Sequence, residues 1–227
     1  MSHWSGPLSD AHAQSLWQAG VRNIKVGDGY EGSGGAGVYS RQQAETWLRL
    51  NGDRGGTVDA YLYMYFAADP VDQVQRALRT LDGIAVRRWW LDAEDVESPQ
   101  LSAADRVDFL NRCLGTLGDR PAGIYTAHWW WPDHMADSHA FDHLPLWNSW
   151  YDNNPDESGL PYGGWSHSAV EQYAGTTLIG GFSVDLDFDA TLEEQEGALS
   201  MEDRSRLERL ERIVAGWGFT DDEGAQL

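Results

Sequence analysis

Two carboxylates follow a short apolar run at the spacing that acid–base chemistry requires. The run at 88–91 leads into Asp92 and Glu94, which the two-residue period of a β-strand places on the same side. Burial opposes ionisation, so one carboxyl of such a pair can stay protonated while the other is charged. The alternative is structural, with these carboxylates capping a helix or pairing with Arg87 and Arg88. The spacing alone leaves both interpretations open.

The composition is that of a folded and strongly acidic protein. The chain has 227 residues, 41% of them hydrophobic, and 36 acidic against 16 basic residues give a net charge of −20. A chain without a basic surface is a poor partner for nucleic acid and for anionic membranes. No stretch approaches a membrane span, and the first residues lack the pattern of a signal peptide. We therefore expect no nucleic-acid partner, no membrane insertion and no signal peptide.

Twelve tryptophans are unusual for this length. Tryptophans fill cores, but in this number they also line sugar-binding clefts. The three at 129–131 are consecutive and cannot all point inward, so at least one is a candidate for ligand contact. Four histidines and three aspartates lie between 128 and 143, but their spacing matches no zinc signature, which favours a polar loop. The single Cys113 is predicted to be a buried thiol.

Alternating helical and strand patterns predict an α/β fold. Helices are predicted over 10–19, 40–50, 71–81 and 102–117, and strands over 21–26, 57–66, 87–91, 122–126, 145–151, 169–173 and 183–188. The strand at 57–66 is too apolar for a solvent-facing sheet, which favours a buried parallel sheet. Helical stretches are few after residue 126, and 128–132 is predicted as a loop. The predicted parallel barrel is therefore lopsided.

The C-terminal part of the chain differs in kind from the rest. We assign residues 1–192 to the barrel domain, 193–219 to a charged amphipathic helix and 220–227 to a tail that we expect to be disordered. Leu207, Leu210 and Ile213 recur at helical spacing between charged residues. This helix either docks on the domain or supports self-association or a virion partner through 201–217.

If the strands are parallel, their carboxyl ends share one face, where barrels place their chemistry. The residues predicted at these ends include acids, tyrosines and a tryptophan but no obvious nucleophilic serine or cysteine. Carboxylates that transfer protons beside aromatic rings that stack on sugars are typical of a glycosidase cleft, which needs no cofactor and no metal. The predicted set is Asp28, Asp92, Glu94, Tyr125, Trp147, Tyr151, Gln172, Tyr173, Asp185 and Asp187.

The order of these motifs resembles family 25 of the glycoside hydrolases, the Chalaropsis-type lysozymes. The resemblance covers roughly residues 2–190 and rests on five short segments: Leu91-Asp92-Ala93-Glu94, Ile124-Tyr125-Thr126, Leu146-Trp147-Asn148-Ser149-Trp150-Tyr151, Gln172-Tyr173 and Val184-Asp185-Leu186-Asp187. It implies a distorted TIM-like (β/α) barrel with eight-strand ancestry and few helices.

The resemblance also implies roles for individual residues. Glu94 corresponds to the family's general acid, Asp92 to the acid beside it, and Asp185 to the last-strand aspartate that positions substrate or water. The residues expected to bind the saccharide are Asp28, Tyr125, Trp147, Tyr151, Gln172 and Tyr173.

The chain departs from the family pattern at its first residues. Family members open with a strand of the type Gly-Ile/Val-Asp-Val-Ser, whose aspartate is a further active-site acid, whereas this chain reads Met1-Ser2-His3-Trp4. We expect either that the start is truncated or that this acid has been lost, with a consequence for activity. Asp28 also stands where many relatives carry glutamate.

Three functional hypotheses follow from these observations. The first is a peptidoglycan muramidase, a phage-encoded endolysin or tail enzyme that acts on the cell wall from the host cytoplasm or the virion. The second is a non-catalytic module of the same fold that binds glycan or builds the virion, which loss of the first acid would favour. The third is a glycosidase for another polysaccharide.

Overall fold

The computed structural model describes residues 6–27, 38–96 and 101–193. Its elements in chain order are α1 (Asp10–Gln18), β1 (Asn23–Gly27), α2 (Ser40–Asn51), β2 (Thr57–Tyr63), α3 (Pro70–Thr80), β3 (Val86–Asp92), α4 (Ala103–Leu117), β4 (Ala122–Thr126), α5 (Trp131–Met135), β5 (Leu146–Ser149), β6 (Val170–Ile179), β7 (Phe182–Asp189) and α6 (Ala190–Glu193). The predicted helix and tail beyond residue 193 lie outside the described residues. Within the described ranges, no helix is long and apolar enough to cross a bilayer.

Side-chain caps mark where α1, α3 and α4 begin. The Ser9 hydroxyl accepts a hydrogen bond from the His12 amide at the start of α1, and Asp69 caps α3 in the same manner. Ser102 and Asp105 form a capping box at the start of α4. The first four predicted helices agree with the observed ones to within one residue at each end, including α2, which begins without a side-chain cap.

The strands form one sheet in the order β1 to β7. The pairs from β1 to β6 are parallel, as predicted, but β7 runs antiparallel to β6, so the prediction of a wholly parallel sheet is wrong at this strand. The reversal occurs at Gly180 and Gly181, which have φ of 59° and 83°. Two glycines with positive φ form the tight turn of a hairpin. The predicted loop at 128–132 is also partly wrong, since its last residues begin α5.

The sheet curls, which brings its two edge strands together. Lys25 of β1 places its Nζ 3.5 Å from Asp187 Oδ2 and 3.9 Å from Asp189 Oδ2, both on β7. Strands at opposite edges of a seven-stranded sheet can make such contacts only if the sheet closes on itself. The described part is therefore a half-barrel of mixed α/β type, in agreement with the distorted TIM-like barrel that the sequence predicts.

Apolar side chains fill both faces of this curled sheet. The larger cluster lies between sheet and helices and includes Trp47, Leu91, Leu110 and Cys113, whose thiol is buried as predicted. A smaller aromatic cluster fills the concave side and consists of Tyr61, Trp90, Tyr125, Trp147 and Val170.

Charged side chains compensate one another at the amino-terminal end of the half-barrel. Arg87 donates from Nε and Nη2 to the two carboxylate oxygens of Asp59, at 2.8 and 2.7 Å, and from Nη2 to Asp189 at 2.6 Å. Asp59 is fully buried, and burial alone raises the pKa of its carboxyl, but Arg87 and Lys25 outweigh that effect and lower it. The ion pair therefore stays charged inside the protein.

Removing Asp59 would leave part of this network uncompensated. We expect Asp59→Ala to lower the free energy of unfolding by about 3–5 kcal/mol, because a buried cation loses a partner. The matched control is Asp10→Ala, which breaks the exposed pair with Arg49 and should cost less than about 1 kcal/mol. Urea denaturation of the two variants tests this difference, and equal losses would contradict it.

Candidate active site

Asp92 and Glu94 lie at the carboxyl end of β3, where the sequence places them. Asp92 is the last residue of the strand and is only 5% exposed, and its Oδ1 is buried without a hydrogen-bond partner. Burial raises the pKa of Asp92 well above its usual range, and the charge of Glu94 adds to that effect. An unpaired buried carboxylate is costly, so the protonated form is favoured here.

Glu94 shares this environment but is half-buried. Burial raises the pKa of its carboxyl, the charge of Asp185 raises it further, and the Tyr125 hydroxyl acts in the opposite direction. The structural alternative, a pairing with Arg87, is not observed, because this guanidinium is engaged with Asp59 and Asp189. A carboxyl with a raised pKa keeps its proton to a higher pH than an ordinary glutamate and so can act as a general acid.

β7 brings two further carboxylates to the same cluster from the middle of the strand. Asp185 accepts a hydrogen bond from the Thr176 amide at 2.9 Å, which fixes the orientation of its side chain. Asp187 accepts one from Trp147 Nε1, also at 2.9 Å, and Lys25 lies 3.5 Å away. Burial raises the pKa of Asp187, while Lys25 acts to lower it. The positive charge of Lys25 therefore partly compensates the negative charge of Asp187.

Tyr61 of β2 is a site residue that the sequence did not predict. Burial raises the pKa of its hydroxyl, and the charges of Asp92, Asp185, Glu94 and Asp187 all add to this effect, so Tyr61 is electrostatically coupled to the four carboxylates. Gly27 leaves room for it, since a Cβ there would lie 2.2 Å from Tyr61 Cζ. The available signal was the alternation along 57–63, which puts residues 59, 61 and 63 on one side of the strand.

Gln172 joins two tyrosines at the rim of the cluster. Its Oε1 accepts hydrogen bonds from the hydroxyls of Tyr125, at 2.9 Å, and Tyr151. Gln172 and Tyr125 are buried, whereas Tyr151 is 56% exposed. The predicted residues Tyr125, Tyr151 and Gln172 therefore form one hydrogen-bonded unit, and Tyr151 offers an accessible aromatic surface.

Trp147 lies beneath the cluster rather than on its surface. The residue is 3% exposed, and its ring makes edge contacts with Tyr125, Trp90 and Tyr61 at centroid distances of 4.6, 5.7 and 6.1 Å. A ring so enclosed forms a floor and holds Asp187 through its Nε1. Its support of the carboxylates is indirect.

The remaining predicted residues lie apart from this unit or outside the described part. Asp28 lies outside the described residues, and Tyr173 is a half-buried neighbour of Gln172. Asp95, the third acid after β3, is structural, because its Oδ2 accepts the Phe66 amide at 3.1 Å. Of the consecutive tryptophans, the residues at 130 and 131 are fully buried and the one at 129 is 55% exposed.

The family of this chain follows from comparison with known proteins. The sequence profile of glycosyl hydrolases family 25 matches residues 1–182, most of the chain. The chain belongs to glycosyl hydrolases family 25. It is 30% identical over 166 residues to the probable GH family 25 lysozyme 3 of Dictyostelium discoideum, which covers 69% of this chain and 34% of that protein. It is also 30% identical over 141 residues to lysozyme-like protein 5 of Caenorhabditis elegans, covering 58% and 65%. The chain thus spans about one third to two thirds of these relatives.

Solved structures share the family 25 fold at low sequence identity. The lysozyme of Streptomyces coelicolor has a TM-score of 0.62 at 18% identity, covering 83% of this chain and 89% of that one. The family 25 lysozyme of Aspergillus fumigatus has 0.59 at 16%, covering 82% and 92%. The catalytic domain of an endolysin from a bacteriophage of Listeria monocytogenes has 0.60 at 17%, covering 87% and 100%. The resemblance stated from the sequence is confirmed for the family and the fold.

The raised pKa of Asp92 gives a test of the carboxylate cluster that needs no substrate. A carboxyl with a raised folded-state pKa stabilises the protein below its unfolded pKa of about 4, and that stability is lost as pH rises through the folded value. Asp92→Asn removes this loss. We therefore expect Asp92→Asn to gain stability relative to the wild type between pH 4 and pH 8, by about 1.4 kcal/mol for each unit of the shift. Urea denaturation measures this gain, and the exposed Asp119→Asn is the control; a flat difference would contradict the assignment.

Proposed function

We propose that this protein is a peptidoglycan hydrolase that cleaves the β-1,4 bond between N-acetylmuramic acid and N-acetylglucosamine. The observation that carries the proposal is the pair Asp92 and Glu94 at the end of β3, both with raised pKa, in a chain of glycosyl hydrolases family 25. Relatives with lysozyme names support the substrate class.

In the proposed mechanism Glu94 is the general acid. It donates its proton to the glycosidic oxygen as the bond to the sugar breaks, so the leaving group departs as a neutral alcohol. Positive charge develops on the glycosyl carbon in that step, and the carboxylates of Asp185 and Asp187 stabilise it. The amide that holds Asp185 reduces the reorganisation this stabilisation would otherwise need. A water molecule then supplies the oxygen that bonds to this carbon and gives its proton to Glu94, which restores the general acid.

The hydrogen-bonded unit of Tyr125, Tyr151 and Gln172 would hold the saccharide. Tyr151 presents an exposed ring on which a sugar face can stack, while its hydroxyl stays hydrogen-bonded to Gln172. The buried Trp147 supports this surface from below. No step requires a cofactor.

The phage-encoded endolysin or virion enzyme expected from the sequence remains a hypothesis. The solved structures that share the fold come from a bacterium, a fungus and a phage, so the fold is common to all three settings.

Release of reducing sugar from purified peptidoglycan tests the general acid. Glu94→Gln should lower the rate by roughly 10²–10⁴-fold, because the amide cannot donate the proton. The control Glu45→Gln removes an exposed glutamate of α2 that pairs with Arg41 and should retain the wild-type rate. Wild-type activity that survives Glu94→Gln would overturn the role of this residue. Glycan binding without hydrolysis by the wild type would instead favour the non-catalytic module.

The products of the same digestion identify the bond. After borohydride reduction, a muramidase leaves fragments that end in the alditol of N-acetylmuramic acid, and mass spectrometry distinguishes these from fragments that end in the alditol of N-acetylglucosamine. The second outcome would exclude the proposed bond.

The pH profile provides an independent test. Since Glu94 must be protonated, kcat/KM should fall about tenfold per pH unit above its raised pKa. The charge of Asp185 contributes to that raised pKa, so Asp185→Asn should move the falling limb to lower pH as well as slowing the reaction. A limb that stays in place would show that another group controls it.

A further inference from the structure

Lys25 is the only lysine among the 16 lysine and arginine residues of the chain. Lysines usually lie on the surface, where water solvates the ammonium group, but Lys25 is only 3% exposed. Its Nζ lies 3.5 Å from Asp187 Oδ2 and 3.9 Å from Asp189 Oδ2, and it donates to Asn23 Oδ1 at 3.3 Å. A buried ammonium group is tolerated because these oxygens replace the water that it has lost.

Both carboxylate oxygens of Asp187 face donors. Oδ1 accepts a hydrogen bond from Trp147 Nε1 at 2.9 Å, and Oδ2 faces the ammonium group of Lys25. Lys25 Nζ also lies 5.1 Å from the centroid of the Trp147 ring, so the three side chains contact one another in a closed triangle. A proton on either oxygen would meet a donor rather than an acceptor, so these contacts favour the ionised carboxylate.

The other carboxylates of the site are not arranged in this way. Within residues 6–27, 38–96 and 101–193, the ion pairs of Lys25 and Arg87 involve Asp59, Asp187 and Asp189, and none joins Asp92, Glu94 or Asp185 to a cation. Asp92 Oδ1 is buried without any hydrogen-bond partner. Acid catalysis of glycoside cleavage requires one protonated and one ionised carboxyl group, and the geometry distinguishes Asp187 as the ionised one.

We propose that Lys25 is a positioning residue, which holds the carboxylate of Asp187 ionised and oriented for cleavage of the glycosidic bond. This inference rests on the proposed function, in which Glu94 donates a proton while positive charge develops on the glycosyl carbon. Asp187 provides the negative charge that this step requires. Lys25 itself does not reach the substrate, because its ammonium group is enclosed by the protein, so it acts through Asp187.

The charged and titratable groups around Asp187 come from three strands: Lys25 from β1, Tyr61 from β2, and Asp185 and Asp189 from β7. Burial raises the pKa of Asp187, Lys25 lowers it, and the net effect is a raised pKa. The pKa of Tyr61 is raised, so its hydroxyl remains neutral where aspartates titrate. Without Lys25 the opposing effect is lost, and the pKa of Asp187 should rise further.

The pH dependence of peptidoglycan hydrolysis by Lys25→Met tests this role. The rising limb of kcat/KM reports ionisation of Asp187, so it should move to higher pH by about 1–3 pH units, the usual effect of an opposite charge at this distance. At a fixed pH on that limb, kcat/KM should fall about tenfold for each pH unit. The falling limb, which Glu94 controls, should stay in place. A rising limb that does not move would overturn the proposal.

Arg87→Met is the matched control for loss of a buried cation. Arg87 belongs to the same ion-pair network but contacts Asp59 and Asp189 rather than Asp187. Both variants should therefore lower the midpoint of urea denaturation, whereas the rising limb should move only in Lys25→Met. An equal movement in both variants would assign the effect to the network as a whole and contradict the specific role of Lys25.

Nuclear magnetic resonance gives a readout that needs neither hydrolysis nor a substitution at Lys25. Labelling with ε-¹⁵N-lysine yields a single side-chain signal, because the chain has one lysine. The shift of this signal should show an inflection below neutral pH that Asp187→Asn removes and Asp185→Asn retains; an inflection from Asp189 should persist in both. An absent Asp187-dependent inflection, or one centred above neutral pH, would overturn the proposal. The expected inflection in a protein without hydrolytic activity would instead contradict the proposed function alone.

Discussion

The rest of the site depends on the buried ion pairs that join the two edge strands of the curled sheet. Lys25 on β1 contacts Asp187 and Asp189 on β7, and Arg87 connects Asp189 to Asp59. These contacts hold the edge strands together where the described sheet makes no hydrogen bonds between them. They also keep the positive charges of Lys25 and Arg87 beside Asp59, Asp187 and Asp189.

The concave side of the sheet thus contains carboxylates in two electrostatic environments. Asp59, beside Arg87 and Lys25, has a lowered pKa despite complete burial, whereas Asp92 and Glu94 have raised pKa values. The aromatic cluster around Trp147 contacts carboxylates of both kinds, because Trp90 Nε1 donates to Asp59 and Trp147 Nε1 donates to Asp187. The contrast places proton-donating capacity at one end of the barrel and leaves the other end to stabilise the fold.

What the sequence could predict was local or periodic. The caps at Ser9, Asp69 and Ser102 fix helix starts, and alternation alone placed Asp92 and Glu94 on one side of β3. The direction of β7 was missed although Gly180 and Gly181 carry a hairpin signal, because parallel order was extended from the earlier strands. The site contacts of Tyr61 and the role of Lys25 depend on how far the sheet curls, which no short segment of sequence encodes. The buried position of Trp147 depends on the same closure.

The net charge of −20 limits how such a protein can approach a cell-wall polymer. Anionic groups in the wall are repelled at long range, although physiological salt screens this beyond about 8 Å. For the proposed peptidoglycan substrate, recognition would then rest on short contacts, such as stacking on Tyr151 and hydrogen bonds near Gln172. These residues adjoin the acidic loop of Asp152 to Ser158, which adds further negative charge beside Tyr151.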